Sequence, residues 1–454
     1  MPGRAGVFVV LCAVAVGQAA DPPRVSVPAR WSAVSLKPAD LPPLSVPAVG
    51  EPAALPNGTP VSQPLRPTAD VEVLSSPPTP PSAEVPPQVA VELAEVQRPL
   101  GRSWHNLELL FWWPKPQPLP PLVTTARGQS PAVFGGPNTS LLVGNQSIDS
   151  PDVAGGRFTL GFAVNPEETA GLAVTYFFLG SRTSSVSVGD AVAGRGRSVA
   201  RPVIDPLTGD EAAVAAAVPG QFEGVIDAAT TTRVTGWEVS GIVNLFAGPR
   251  ARVSAVTGYR YFMVNEGLRI DQTTLYPAGA GPAVLASAAD QFDAHTRFHG
   301  GQLGLTADLT RGPVFLELAG KVGLGQAVAV VRVSGQSVAV SPGFPPAISY
   351  FPGGVLAQPT NTGRWVRSGF AVLPEGTVKL GYRLADRSRM YVGYNFLYLS
   401  EAVRPGEQID RTVDLAQVPL IGQPGTRGAE RPAPLITRSD FWVQGLMFGL
   451  EYRY

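Results

Sequence analysis

The chain has 454 residues, of which 50 are Gly and 47 are Pro, and its 35 Lys+Arg balance its 35 Asp+Glu. Charged residues make up 15%, well below the ~25% usual in a soluble domain, while hydrophobic residues stay near average at 44%. The zero balance argues against nucleic acid as a partner, which needs a basic footprint. The Gly and Pro content argues against a mostly helical protein, the apolar content against disorder throughout, and one Cys excludes a disulfide scaffold or thiolate cluster.

The chain opens on Arg4, an apolar run from Ala5 to Val16, and the small residues Gly17 and Ala19 that a signal peptidase reads. Residues 1–20 are therefore expected to be a cleaved signal peptide, because the run is too short to span a bilayer. Cys12 lies inside it, so the mature chain is expected to lack cysteine. Residues 21–100 follow as a Pro-rich segment, with eighteen Pro between Asp21 and Arg98 and Trp31 as the only aromatic there. Such a composition favours extended polyproline II and cannot bury enough apolar surface to order itself. A disordered linker is expected, with peptidoglycan as a candidate contact.

From residue 101 to 454 the texture changes to strict alternation of apolar and polar residues. Ten segments show it: Trp104–Trp113, Gly156–Val164, Gly171–Leu179, Thr235–Phe246, Ala251–Glu266, Phe292–Leu309, Val314–Leu324, Gly376–Leu384, Met390–Tyr398 and Trp442–Tyr454. Period two over about ten residues is the strand signal, and a tilted strand of ~9–11 residues crosses a bilayer. In Phe292–Leu309 the apolar phase shifts at Gly300-Gly301, which a glycine bulge would produce. Very short connections at 165–168, 247–250, 310–313 and 386–388 alternate with long ones at about 114–154, 182–232, 270–290, 336–366 and 401–438. Short turns at one rim and long loops at the other are the pattern of outer-membrane barrels, and lipid demands a closed sheet. The expected fold is all-β: a closed antiparallel transmembrane β-barrel of ten strands, or twelve if Leu141–Ile148 and Gln221–Ala228 add strands.

The polar faces of these segments carry Glu108, Arg157, Glu238, Arg252, Arg260, Glu317, Lys321, Lys379, Arg383, Glu451 and Arg453. Mixed signs on an inner face point either to a paired network filling a narrow lumen or to a charged constriction that selects ions. Aromatics near segment ends, Trp104, Trp112, Trp113, Trp237, Trp442, Tyr452 and Tyr454, read as membrane girdles. His295 and His299 share a strand face with Asp293, but Arg297 between them repels a cation, so no metal site is expected. No nucleophile motif or phosphate loop is present, so neither an enzyme nor a cofactor is expected.

Three collinear stretches carry a resemblance. Glu108 through Trp113 followed by Pro120 through Thr125, Arg404 through Val413 (RPGEQIDRTV), and Ser439 through Tyr454 resemble the planctomycete β-barrel porin family numbered seven. The resemblance spans about 104–454 and implies an outer-membrane location, presumed transport and no catalytic residues. Its terminal strand ends in an aromatic, here Tyr454 where such barrels often end in Phe, and implies recognition by the barrel-assembly machinery. The expected partners are thus outer-membrane lipid, that machinery and, through the linker, peptidoglycan. The expected function is porin-like passage of small solutes through a narrow polar lumen. The competing readings are a structural or surface-recognition barrel with a plugged lumen, and a soluble secreted β protein.

Overall fold

All ten alternating segments form strands, and among the described residues the long connections contribute six more. The computed structural model describes residues 103–145, 153–189, 196–278, 282–419, 421 and 429–454; the expected signal peptide and linker lie outside them. In chain order the strands are β1 (Ser103–Pro114), β2 (Val123–Arg127), β3 (Thr139–Val143), β4 (Val153–Ala163), β5 (Ala170–Leu179), β6 (Arg182–Gly189), β7 (Arg197–Ile204), β8 (Glu211–Ala217), β9 (Glu223–Ala247), β10 (Ala251–Tyr276), β11 (Val284–Arg311), β12 (Val314–Ser341), β13 (Ala347–Pro352), β14 (Gly363–Ala385), β15 (Ser388–Ala402) and β16 (Ser439–Arg453).

Among the described residues, ten strands hydrogen-bond in a ring, each antiparallel to the next, in the order β1, β4, β5, β9, β10, β11, β12, β14, β15, β16. β16 returns to β1 along eleven paired positions, from Trp104↔Arg453 to Pro114↔Val443. β6 and β13 join the same sheet only as branches, on β9 and β12. Thr139–Val143 becomes β3, off the ring, and Glu223–Ala228 is the start of β9, so neither candidate region adds a ring strand.

The turns β4–β5, β9–β10, β11–β12 and β14–β15 gather at one rim. The two-residue turn between β11 and β12 needs a left-handed residue, and Gly312 supplies it at φ 62°. Around this rim the outward faces carry exposed Leu107, Phe158, Val174, Leu245, Leu305, Leu380, Val392 and Leu450. An exposed apolar band around a closed sheet is what lipid requires.

The phase shift expected at Gly300-Gly301 does not occur. The β10–β11 and β11–β12 registers run through both glycines without an extra residue. Even-numbered residues of β11 face inward along its whole length: Phe292 and Phe298 are fully buried and Gln302 nearly so, while Leu303 and Leu305 are exposed. What inverts is the surroundings. Near the short-turn rim β11 is apolar outside and polar inside; farther along it turns Asp293, His295 and Arg297 outward and Phe292, Ala294 and Phe298 inward. β9, β10, β12 and β14 invert in the same way. These strands leave the membrane and continue as the wall of a water-soluble structure. Gly300 serves a close approach instead: a Cβ there would lie 2.3 Å from the Leu324 carbonyl oxygen.

Inside this tall wall sits a second sheet, in the order β3–β2–β7–β8, built from the connections after β1 and β6. Its apolar residues (Val123, Val199, Val203, Val214) share one buried cluster with the wall (Ile226, Leu268, Ile270, Phe292, Val331) and with the late connection (Val403, Ile409, Val413). Burial at about 25 cal/mol per Å² of apolar area makes this shared cluster the main tie between the second sheet, the wall and the late connection. The long connections therefore fold inward as a cap.

Candidate functional site: a charged and bridged lumen

The inward positions of the membrane strands bring eight charges into contact. Glu108 meets Arg157 at 3.5 Å and Lys379 at 3.1 Å; Lys379 meets Glu317 at 3.2 Å; Lys321 meets Glu238 at 2.8 Å and Glu375 at 3.4 Å; Arg157 meets Glu375 at 3.2 Å. Arg260 reaches Glu375 at 2.5 Å and Glu238 at 3.9 Å. Four carboxylates face four cations, so the cluster is neutral. Charges this buried persist only when paired and hydrogen-bonded. Tyr391 donates to Glu108 at 2.5 Å, and Asn395 donates to Glu375 at 2.7 Å.

A second group lies at the short-turn rim, where Arg389 meets Asp308 at 2.8 Å and Glu451 at 2.9 Å, and Arg453 meets Glu451 at 2.6 Å. The structure thus brings nine of the eleven sequence-derived charges into two networks. Arg252 and Arg383 instead line the mouth of a cavity of about 710 Å³ at this rim, which also touches Glu238, Lys321 and Lys379. Five network members are not among those eleven charges: Glu375, Asp308, Arg389, the hydroxyl of Tyr391 and the amide of Asn395. Glu375, the hub, sits between Pro374 and Gly376 just ahead of the alternating segment as read; extending the alternation by one residue would have found it.

Beyond the charges, the lumen is bridged by aromatic side chains. Trp112 packs on Phe177 with ring centroids 5.6 Å apart, Phe177 on Phe262 at 6.2 Å, and Phe262 on Phe441 at 6.3 Å. Phe262 is on β10 and Phe441 on β16, five places apart in a ring of ten and so on opposite walls. They belong to one apolar cluster to which all ten ring strands contribute, from Leu110 and Val153 to Phe298, Ala327, Leu373, Leu399 and Val443. Arg157 lies 5.1 Å from the Trp112 ring and joins the charged region to the aromatic one.

This corrects two of the expected girdle residues. Trp112 is fully buried in the lumen, and Trp104 lines the cavity mouth. β1 turns its even positions inward, so both tryptophans follow the pleat. Trp113, Trp237, Trp442 and Tyr452 sit on the outward face, and Tyr454 is exposed at the short-turn rim.

On the loop side of the aromatics, the late connection inserts Arg404. Its guanidinium forms a bidentate pair with Glu266 of β10, both side chains fully buried, and donates to the Lys115 carbonyl at 2.9 Å. It also lies 5.5 Å from the Phe441 ring. Gln408 ties the same connection down, donating to the carbonyls of Arg404 at 3.0 Å and Thr437 at 2.9 Å. The cap is pinned by Arg201 of β7, 2.6 Å from Asp290 of β11. Asp290 in turn accepts the backbone N–H groups of Leu356 at 3.1 Å and Ala357 at 2.7 Å. Among the described residues no group of His, Cys, Asp and Glu is arranged to hold a metal.

A ring of strands with a lipid-facing belt, a polar lumen and a capped far end defines a porin-like outer-membrane β-barrel. The family described as "Putative beta barrel porin-7 (BBP7)" matches residues 104–454, and the chain belongs to that family. No curated protein matches the sequence. Among solved structures, the chain is similar to the outer membrane protease OmpT from Escherichia coli, at 10% identity and TM-score 0.39, over 78% of this chain and 98% of that one. It is also similar to a Pseudomonas aeruginosa FadL homologue, at 8% identity and TM-score 0.20, over 78% and 90%. A third is the P. putida toluene transporter TodX, at 7% identity and TM-score 0.18, over 78% and 90%.

Proposed function

We propose that this barrel stands closed at rest and works through the folded cap on its outer face. The observation that carries this reading is the contact between Phe262 and Phe441 across the lumen, within an apolar cluster that every ring strand joins. A packed apolar cross-section excludes the water an ion path needs. The refolded protein in a planar bilayer is expected to show no defined conductance steps, whereas a Phe262→Ala/Phe441→Ala variant shows them. Regular steps from the unaltered protein would overturn the closed reading.

A second reading is favoured by the cavity of about 710 Å³ that opens at the short-turn rim. It would serve as a vestibule for small polar solutes that pass once the Arg404 connection moves. Swelling of liposomes carrying the unaltered protein in a sugar gradient supports passage; swelling no faster than in empty liposomes counts against it.

Both readings are non-enzymatic, supported by lumen carboxylates that are each held by cations rather than poised for proton transfer. Both ends of the ring support a periplasmic place for the N-terminal lead. Ser103 and Tyr454 meet at the short-turn rim, where the Tyr454 N–H donates to the Ser103 carbonyl at 2.8 Å, and short turns face the periplasm. Protease added to intact cells should then spare residues 21–100. Contact of that lead with peptidoglycan, and recognition of β16 by the assembly machinery, belong to the same reading.

A further inference from the structure

Where the tall strands leave the lipid belt, their outward faces carry a band of arginines: Arg233 on β9, Arg297 on β11, Arg332 on β12 and Arg364 on β14. All four are exposed, and none has a carboxylate partner among the described residues. The register fixes their neighbourhood. Arg332 stands directly opposite Arg364 on one side and Asp293 on the other. Arg233 and His295 flank Asn265, whose Oδ1 lies 2.9 Å from His295 Nδ1. His295 is within electrostatic reach of Asp293, Arg297 and Arg332.

Two features set this band apart from solvated surface charge. Like charges placed directly opposite across strands are destabilising unless something neutralises them, and Arg332 faces Arg364. The height is also specific. His299 pairs with Tyr261 and Tyr261 with Trp237 in an aromatic row; Arg297 stands two residues beyond this row, Arg233 four, and Arg332 and Arg364 six, so the arginines begin at the row and climb away from it. Aromatic rows mark the headgroup level. On the other side of the ring the outward residues at the loop end are Trp113, Tyr398, Trp442 and Asp440, the last ion-paired with Lys115 at 2.6 Å, so the arginine band belongs to one sector.

We propose that this sector binds the phosphate of an outer-leaflet lipid headgroup. Arg332 and Arg364 grip it from adjacent strands, Arg297 on the next strand lies nearer the aromatic row, and the acyl chains lie against Phe370, Leu324 and Leu303 below. Guanidinium forks suit phosphate oxygens, and basic clusters at a membrane surface are the general form of anionic-lipid recognition. Asp293, across from Arg332 without an ion pair to it, accepts a hydrogen bond from Gln291 at 2.7 Å.

The test uses the full chain in a neutral maltoside detergent, with diphosphorylated lipid A added and lipid adducts counted by native mass spectrometry. A variant carrying Arg297→Gln, Arg332→Gln and Arg364→Gln is expected to bind the lipid more weakly by on the order of a hundredfold, about a factor of five per arginine. Arg311→Gln, at the opposite rim, is expected to bind as the parent does. Heat-modifiable gel mobility checks that each variant is folded. Undiminished binding by the folded triple variant overturns the proposal, as does equal retention of dephosphorylated lipid A. Displacement by millimolar inorganic phosphate overturns the lipid assignment in favour of a free-anion site.

Discussion

Glu375 accepts contacts from Arg157, Arg260 and Lys321 and a hydrogen bond from Asn395. Replacing one partner of a buried pair leaves the others uncompensated, at a cost of about 3–5 kcal/mol. Glu375→Gln is therefore expected to lower the urea unfolding midpoint in detergent strongly, and more than Glu317→Gln, whose carboxylate meets only Lys379. None of this hub is written locally: Arg260 and Arg157 lie 115 and 218 residues away in sequence. Alternation could assign a face, and did so for Glu108 and Lys379, but pairing depends on which strands meet. Asp410, in the late connection, is a separate case. Burial pushes its carboxyl up, but the backbone N–H groups of Ala433 and Thr412 and the Arg431 guanidinium outweigh burial and hold it below the usual Asp range. A depressed folded value means that its stabilisation is present above the unfolded value, about 3.9, and is lost as pH falls through the folded one. Protease sensitivity of residues 404–418 is expected to stay flat from neutral pH to about pH 4 and rise only below it; an increase near pH 6 would rule out this carboxylate as the cause.

At the level of strands, the existence and order of the ten ring strands were legible in the sequence; their lengths, and the six strands of the long connections, were not. Val314–Leu324 is the first part of a strand running to Ser341, and Gly376–Leu384 is the last part of one beginning at Gly363. Alternation carries no strand signal across the point where the apolar face changes side, because the pattern presumes one solvent outside the sheet. The two glycines in β11 read as a bulge for the same reason. Gly300 faces Gly325 across the β11–β12 pair, and a Cβ on Gly325 would lie 2.2 Å from the His299 carbonyl oxygen. Gly325→Val is expected to cost about 1–3 kcal/mol through forced backbone shifts, read as a lower unfolding midpoint with the ring still formed. The late connection depends on a different element-scale tie. Arg404→Ala leaves Glu266 buried without its cation, and is expected to release residues 404–418 to protease while the membrane strands stay protected.

For the molecule as a whole, closure rests on the last strand. β16 holds β15 on one side and β1 on the other, so a chain cut before Ser439 exposes two strand edges to lipid. Unpaired backbone in hydrocarbon costs several kcal/mol per group, and that truncation is expected to abolish the heat-modifiable species altogether rather than weaken it. The inversion of polarity along β9 to β12 and β14 has a consequence of another kind. Along these strands the outward face changes character, with leucine and aromatic side chains nearer the short-turn rim and Arg233, Arg269, Arg297, Arg332 and Arg364 farther along. Moving the barrel along the membrane normal in either direction would draw arginine into hydrocarbon or lift leucine into water. The tall sector therefore works as a depth gauge that sets how far the barrel sinks into the bilayer, and with it the height at which the cap is held above the cell surface.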